Sequence, residues 1–536
     1  MNRNTEMHFA SNPTSLDMPR SKFKIPHSHK TTINTGELNP IFCMEYLPGD
    51  TAKIDLATLC RMMTPVYPVL DNAWMDIYFF SVPNRLVWDH WKEFMGENTT
   101  SYWTQQIEYT MPQTTAPQGG WQKGTIADKL NLPIGVEGIS VSSLPFRAVA
   151  LCYNEWFRSE NLVEPLDISK GEATTAGSNG SDAVTDVQAG GMPPKVARLA
   201  DMFSTALPQP QKGPDVYIPL GNKAPIIYTR PIDEGSYTVQ ENLLGKKAAV
   251  IKDQTYSTTV TTSEGNTLIQ SSKKMGLEAD LSTAVGATIN QLRQAFAIQR
   301  MYEKDARGGT RYTELIRSHF SVISPDARQQ RPEYLGGKRI PINITQVLQT
   351  SATDSTSPQG NTAAMSLTID NDSMFTKSFT EHGYILGFAC IRTDRSYSQG
   401  IERHWSRKSR EDYYFPTLAN IGEVYIKNKE IYAQGTDEDE EAFGYQEAWY
   451  EYRMKPNVIS GELRPAYAQS LDAWHYGDKY AALPTLSAEW LSEGKENVER
   501  TLAVQNQDQF ICDFYFDMTW TRPMPIYSIP GLIDHH

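Results

Sequence analysis

The stretch "FICDFYFDMTW", Phe510 to Trp520, decides the fold class. Phe510, Cys512, Phe514, Phe516, Met518 and Trp520 fall on one side of an extended chain, and Asp513 and Asp517 fall on the other. Side chains of a strand alternate between faces, so this pattern is a strand with one face in a core and the other in water. "YILGFACI", Tyr384 to Ile391, repeats the alternation more weakly through Leu386, Phe388 and Cys390. "NAWMDIYFFSVP", Asn72 to Pro83, is rich in aromatic and β-branched residues and closes on proline, as a strand does.

Working outward, "RLVWDHWKEFMG" sets Leu86, Trp88, Trp91 and Met95 near one helical face and stops at Gly96. "LPFRAVALCYNEWFRSENL", Leu144 to Leu162, predicts a second helix through Val149, Cys152, Trp156 and Phe157. Between these anchors lie polar stretches, Asp167 to Pro194 and the Ser/Thr-rich Asn222 to Gly286, which read as insertions outside the core. The expected architecture is mainly β: an antiparallel sandwich or barrel whose strands are separated by long, partly helical connections.

Composition narrows the function. With 40% hydrophobic and 21% charged residues, the 536-residue chain has the apolar content for a core and is not disordered as a whole. A net charge of -13 excludes a generally polyanion-binding surface, so any nucleic-acid contact must rest on local basic patches. Five cysteines, widely spaced and without a C-x-x-C pair, fit a reducing compartment and disfavour a zinc site. No secretory leader and no run long enough to span a bilayer occurs, so synthesis and maturation in a cytoplasm without membrane insertion are expected.

Three basic regions are candidates. The first is an arm over residues 1–36, expected to be extended and mobile, whose Arg20, Lys22, Lys24 and Lys30 suit an anionic partner. The second surrounds "QRMYEKDARGGTRYTELIRSHF", Gln299 to Phe320. Its glycine pair invites a phosphate-loop reading, but it follows a helix and lacks the Lys-Ser/Thr pair that such a loop needs. Gly308-Gly309 therefore predicts a helix stop, with Thr310 capping the next helix. From Arg300 to Arg339 there are nine Arg/Lys against five acids. This is either a nucleic-acid face or a set of arginines paired across a subunit interface, and the interface reading is put first for Arg307, Arg311, Arg317, Arg328 and Arg331.

The third is "IERHWSRKSREDYYFP", where Arg403, Arg407, Lys408 and Arg410 are interleaved with Trp405, Tyr413 and Tyr414. Cations bind phosphates and rings stack on unpaired bases, so single-stranded nucleic acid fits; a packed loop neutralised by Glu402, Glu411 and Asp412 fits equally. "TDEDEEAF", Thr436 to Phe443, lacks the spaced ligands of a calcium loop. His27 and His29 offer two metal ligands without a third. No metal, cofactor or catalytic residue is assigned, since G-x-S-x-G and H-E-x-x-H are both absent. Carboxylates of a β-sandwich glycosidase, or the groove of a carbohydrate-binding module, are the alternative, because their spacing is set by the fold.

The segments "SKFKIPHSHKTTINTGELNPIF", "PVLDNAWMDIYFFSVPNRLVWDHWKEFMGEN", "INQLRQAFAIQRMYEKDARGGTRYTELIRSHFSVISPDARQQRPEYLGG" and "RSYSQGIERHWSRKSREDYYFP" resemble the major capsid proteins of the Microviridae, in their gokushovirus-type branch. That resemblance implies an eight-stranded antiparallel jelly roll over residues 37–536 and assembly of about sixty copies into a T=1 icosahedral shell. It implies circular single-stranded DNA inside, internal or minor virion proteins as further partners, and assembly in the host cytoplasm before release as a virion. It also implies that residues 222–286 form a variable protrusion at the threefold axes, where a bacterial surface receptor would be met.

Overall fold

The computed structural model describes residues 19–98, 109–216, 288–351, 353, 359–360 and 362–527, together with the backbone of strands between 226 and 279. Eight strands build two facing sheets: β1 (His27–Ile33), β2 (Asn39–Tyr46), β3 (Thr51–Met62), β4 (Ala73–Pro83), β5 (Glu333–Pro341), β6 (Thr368–Ser378), β7 (Gly383–Thr393) and β8 (Phe510–Arg522). One sheet runs β1-β8-β3-β6 and the other β5-β4-β7-β2, with every neighbouring pair antiparallel. A short strand, Ser21–Lys24, continues the line of β1 along the far end of β8. The chain crosses between the sheets at every connection except β4 to β5. This is the order of a jelly roll, two Greek keys folded over one core.

The alternation in β8 has the consequence expected of it. Phe510, Cys512, Phe514, Phe516, Met518 and Trp520 are buried, and β3 presents Ala52, Ile54, Leu56, Cys60 and Met62 beside them. From the opposing sheet come Phe42, Met75, Ile77, Phe79 and Ile385. Phe516 lies against Phe42, ring centroids 4.9 Å apart, and edge-on to Phe79 at 6.4 Å. Each such side chain removed from water contributes about 1.5–3 kcal/mol, and this layer is what joins the sheets.

β7 alternates only weakly because it is buried on both faces. Ile385, Ala389 and Ile391 point into the inter-sheet core. Leu386, Phe388 and Cys390 point the other way, into a second core formed by Trp88, Trp121 and the helix α1 (Leu144–Cys152). β4 divides likewise, with Phe79 on one side and Phe80 and Val82 on the other. The Asp167 to Pro194 stretch, expected outside the core, contributes to this second layer: Val187 and Ala189 are buried, and Trp121 donates its indole N–H to the Ala189 carbonyl at 3.3 Å. Its glycines had obscured the few apolar residues that pack.

Two connections carry nearly all the elaboration, residues 84–332 between β4 and β5 and residues 394–509 between β7 and β8. The latter builds a small core of Tyr397, Ile426, Ile431, Phe443, Tyr450 and Trp490 together with Phe203 of the former. The chain divides into two compact units, Met1–Gln211 with Lys304–His536, and Lys212–Glu303. In the second unit, Ile226–Thr229 pairs with Gly276–Ala279, Tyr237–Glu241 with Lys247–Ile251, and Ser257–Thr261 with Thr267–Ser271, all antiparallel. Apart from those strand backbones, the 222–286 insertion lies outside the described residues.

The arm reading needs correction from Ser21 onward. Residues 21–24 and 27–33 are sheet strands, because their backbone completes the ladder on the edge of β8. His29 is buried and its Nδ1 lies 2.8 Å from the Ile41 carbonyl, while His27 stacks on Phe516 at 4.9 Å. Burial, reinforced by the charge of His29, lowers the pKa of His27. A lowered histidine stabilises the fold fully above its unfolded pKa and less as pH falls through the folded one. The chain is therefore expected to lose stability as pH falls below about 6.5, and His27→Gln should lose less over that range in thermal melts.

Candidate functional site

The outer face of the β1-β8-β3-β6 sheet carries the cations of the N-terminal segment. Lys30 stands opposite Asp513, 3.5 Å away, and Lys24 lies 3.2 Å from Asp517. Both lysines are largely exposed, so each pair contributes at most about 1 kcal/mol and is weakened by salt. Arg20 donates to the Gly49 carbonyl. Lys22 is exposed and has no partner among the described residues. Tyr515 and Ile511, each nearly half exposed, add apolar surface to the same face.

The "IERHWSRKSREDYYFP" segment is a loop of short 3-10 turns, Arg403–Ser406 and Arg410–Asp412. Two of its arginines turn inward. Arg403 donates to the Tyr450 hydroxyl at 2.9 Å and the Tyr425 carbonyl at 3.0 Å, and lies 3.4 Å from Glu430. Arg407 sits between the rings of Tyr413 and Tyr452, 4.9 and 4.8 Å from their centroids, and reaches Glu451 at 3.2 Å. These two hold the loop to the rest of the chain, which corrects their expected place on a DNA-facing surface. Burial raises the pKa of Glu430 above the usual carboxylate range, with Tyr450 and Arg403 offsetting part of that effect.

The remaining three face outward. Trp405 is 75% exposed, beside His404 with centroids 4.9 Å apart. The exposed ammonium of Lys408 has no partner among the described residues, and Arg410 lies over Phe415 at 5.1 Å. The capping carboxylate Asp412 accepts from the backbone N–H groups of Lys408 and Ser409 at 2.7 and 2.8 Å, which fixes the turn that presents them.

The glycine pair joins α2 (Ile289–Gly308) to α3 (Tyr312–Phe320). Gly309 has φ +88°, a left-handed turn that glycine adopts without steric cost, and a side chain on Gly308 would meet the Ser318 Cβ at 2.5 Å. The cap falls one residue later than expected: Arg311 is the N-cap, and its N–H donates to Glu314 at 3.3 Å. Thr310 instead donates its N–H to Glu160 at 2.8 Å.

Of the five arginines expected at an interface, three are paired within the chain. Arg307 bonds Glu423 and lies 2.5 Å from Glu447. Arg311 lies 3.1 Å from Glu160 and donates to the carbonyls of Asn154 and Arg158 at 2.6 and 2.9 Å. Arg331 pairs with Asp326 at 2.8 Å and stacks over Trp156 at 4.1 Å. Arg317 and Arg328 are exposed and have no partner among the described residues. They flank Phe320, Val322 and Ile323, which are 75%, 51% and 81% exposed. An apolar tip of that kind, ringed by unpaired arginines, suits a protein partner.

A buried charge network escaped the sequence reading. Arg395 and Glu493 are almost wholly buried, 2.8 Å apart, and Arg395 also reaches Asp478 at 2.8 Å. Asp478 further accepts from Arg198, Tyr480 and Asn497, at 2.6, 2.7 and 2.7 Å. Burial alone would raise its pKa, but Arg395 and Arg198 outweigh that and hold the carboxyl low. The visible signal is a charged close, "RTDR", to the apolar run of β7. The acidic run after Thr436 is an exposed loop apart from the buried Asp439, with Glu440 between Lys427 and Lys429 and Asp439 accepting from the N–H groups of Gln434 and Gly435. Among the described residues no cluster of metal-ligating side chains occurs, and no helix is long and apolar enough to cross a membrane.

The geometry is thus that of a jelly roll with long surface excursions, exposed apolar tips and small basic patches. Known proteins agree with it. The profile of a family described as "Capsid protein (F protein)" matches residues 11–532. Among curated relatives, Capsid protein VP1 of Bdellovibrio phage phiMH2K is 42% identical over 99% of this chain and 98% of its own length. Capsid protein VP1 of Spiroplasma virus 4 is 41% identical over 99% and 98%, and that of Chlamydia phage 1 is 38% identical over 98% and 97%. With the family profile spanning nearly the whole jelly-roll chain, this protein belongs to the phage capsid family of the Microviridae, and its place is the virion.

Proposed function

We propose that this chain assembles, in about sixty copies, into a closed T=1 icosahedral shell around circular single-stranded DNA. The observation that carries the reading is the exposed tip Phe320, Val322 and Ile323 beside unpaired Arg317 and Arg328, on a chain whose net charge is -13. A cationic apolar knob on an otherwise acidic molecule is complementary to other surfaces of its own copies, and a contact between two different patches closes into rings when the rotation fits. The role is structural, with no catalytic step. Assembly takes place in the host cytoplasm, with internal or minor virion proteins added there. Ile323→Asp should leave a folded subunit by circular dichroism that no longer sediments as shells; unimpaired assembly would refute the contact.

DNA contact rests on Lys22, Trp405, Lys408 and Arg410, the exposed members of the two basic segments that are not paired with a carboxylate among the described residues. Binding to phosphates should weaken steeply with salt and show little sequence preference, because it works through charge and stacking. Each lysine or arginine changed to alanine should reduce the slope of log affinity against log salt by about 0.7 for single-stranded DNA. Fluorescence anisotropy with a short oligonucleotide measures this, and an unchanged slope in Lys408→Ala/Arg410→Ala would count against the assignment. The insertion at 222–286 is the receptor-contacting protrusion. Its deletion is expected to give shells that form but adsorb poorly to host cells.

A further inference from the structure

Cys60 on β3 and Cys512 on β8 are directly opposed in the sheet register, and both are buried. Their sulfurs are 3.4 Å apart, each the other's neighbour across the strand pair. Directly opposed residues of an antiparallel pair have Cα atoms about 4.5–5.5 Å apart, inside the range that a disulfide bridges. Cys60 and Cys512 differ from Cys152 and Cys390, which are also buried but have no recorded contact with another thiol.

We infer that Cys60 and Cys512 are a latent oxidation site, which a peroxide converts to a cross-strand disulfide that staples β3 to β8. One thiolate attacks an oxygen of hydrogen peroxide, the O–O bond breaks, and a sulfenic acid and hydroxide result. The second thiolate then attacks the sulfenic sulfur, the S–O bond breaks, and a second hydroxide leaves. The hydroxides take up the two thiol protons as water, so two thiols and one peroxide give one disulfide and two waters. With the partner sulfur already in contact, condensation outruns further oxidation to the sulfinic acid. Donation to the Cys60 sulfur, together with burial, raises the pKa of Cys512 well above the ordinary thiol value, so the reaction is slow and requires the sheet to breathe. In a reducing cytoplasm the pair stays reduced; after release into an oxidising medium the bond accumulates.

The test exposes the purified full-length chain to dilute hydrogen peroxide, then unfolds, alkylates and digests it for mass spectrometry. The expected product is a peptide pair linked through Cys60 and Cys512, lighter by two hydrogens, with alkylated thiols falling from five to three. Cys60→Ala should abolish the linked peptide and leave Cys512 trappable by dimedone as a sulfenic acid. Recovery of Cys60 and Cys512 as free thiols while Cys43 oxidises would overturn the inference. So would their accumulation as sulfinic acids without a link.

Discussion

Arg395→Ala is expected to lower the unfolding free energy by about 3–5 kcal/mol. The guanidinium is 2% exposed and lies 2.8 Å from both Asp478 and Glu493, of which Glu493 is fully buried. Its removal leaves Asp478 with Arg198 alone and takes from Glu493 the guanidinium it faces. An unpaired buried charge is costly because nothing replaces its lost hydration. The pH dependence gives a second readout. In the wild type the Asp478 carboxyl is held below its ordinary range, so it stabilises the fold above the unfolded pKa and less as pH falls. The variant lacks much of that contribution, and the gap between the two proteins in urea midpoints should narrow as pH falls below about 4, the ordinary carboxylate value.

Trp520→Ala should cost a similar amount, about 3–5 kcal/mol, by opening a cavity at the end of the inter-sheet core. Trp520 is fully buried and faces Ala52 across the strand pair, a large residue matched to a small one. Its ring also carries the Arg522 guanidinium at 4.4 Å, and Arg522 lies 3.4 Å from the buried Asp50. A position on the wet face of the same strand provides the comparison. Ile511 is 48% exposed, and Ile511→Ala should change stability by no more than about 0.5 kcal/mol. Equal losses at the two positions would contradict the assignment of faces in β8.

The two results probe what the sequence can and cannot disclose. β8 was legible because one of its faces meets water, which stamps a period of two on the chain. β7 showed only a weak alternation, since α1 and its neighbours cover the face that would otherwise carry polar residues. The helical pair around Gly308-Gly309 was readable from its stripe and glycines, but the cap shifted by one residue because Glu160, far upstream, takes the Thr310 N–H. The basic loop shows the same limit. Its composition is visible, yet the partners of Arg403 and Arg407 are Glu430 and Glu451, 27 and 44 residues downstream. Glu402, Glu411 and Asp412, the nearby acids, do not neutralise those two. Which cations turn inward is decided by tertiary pairing, and Trp405, Lys408 and Arg410 are left exposed.

The jelly-roll order explains why one chain can be both rigid and adaptable. Two long connections, after β4 and after β7, carry the surface excursions while the sheets hold their core. Placing function on loops over a rigid scaffold is the general arrangement for binding surfaces.

Electron microscopy of the purified full-length protein tests directly whether these surfaces close a shell. Uniform small icosahedral particles of about sixty subunits are expected. Monomers that bind sugars, or open filaments without closure, would contradict it.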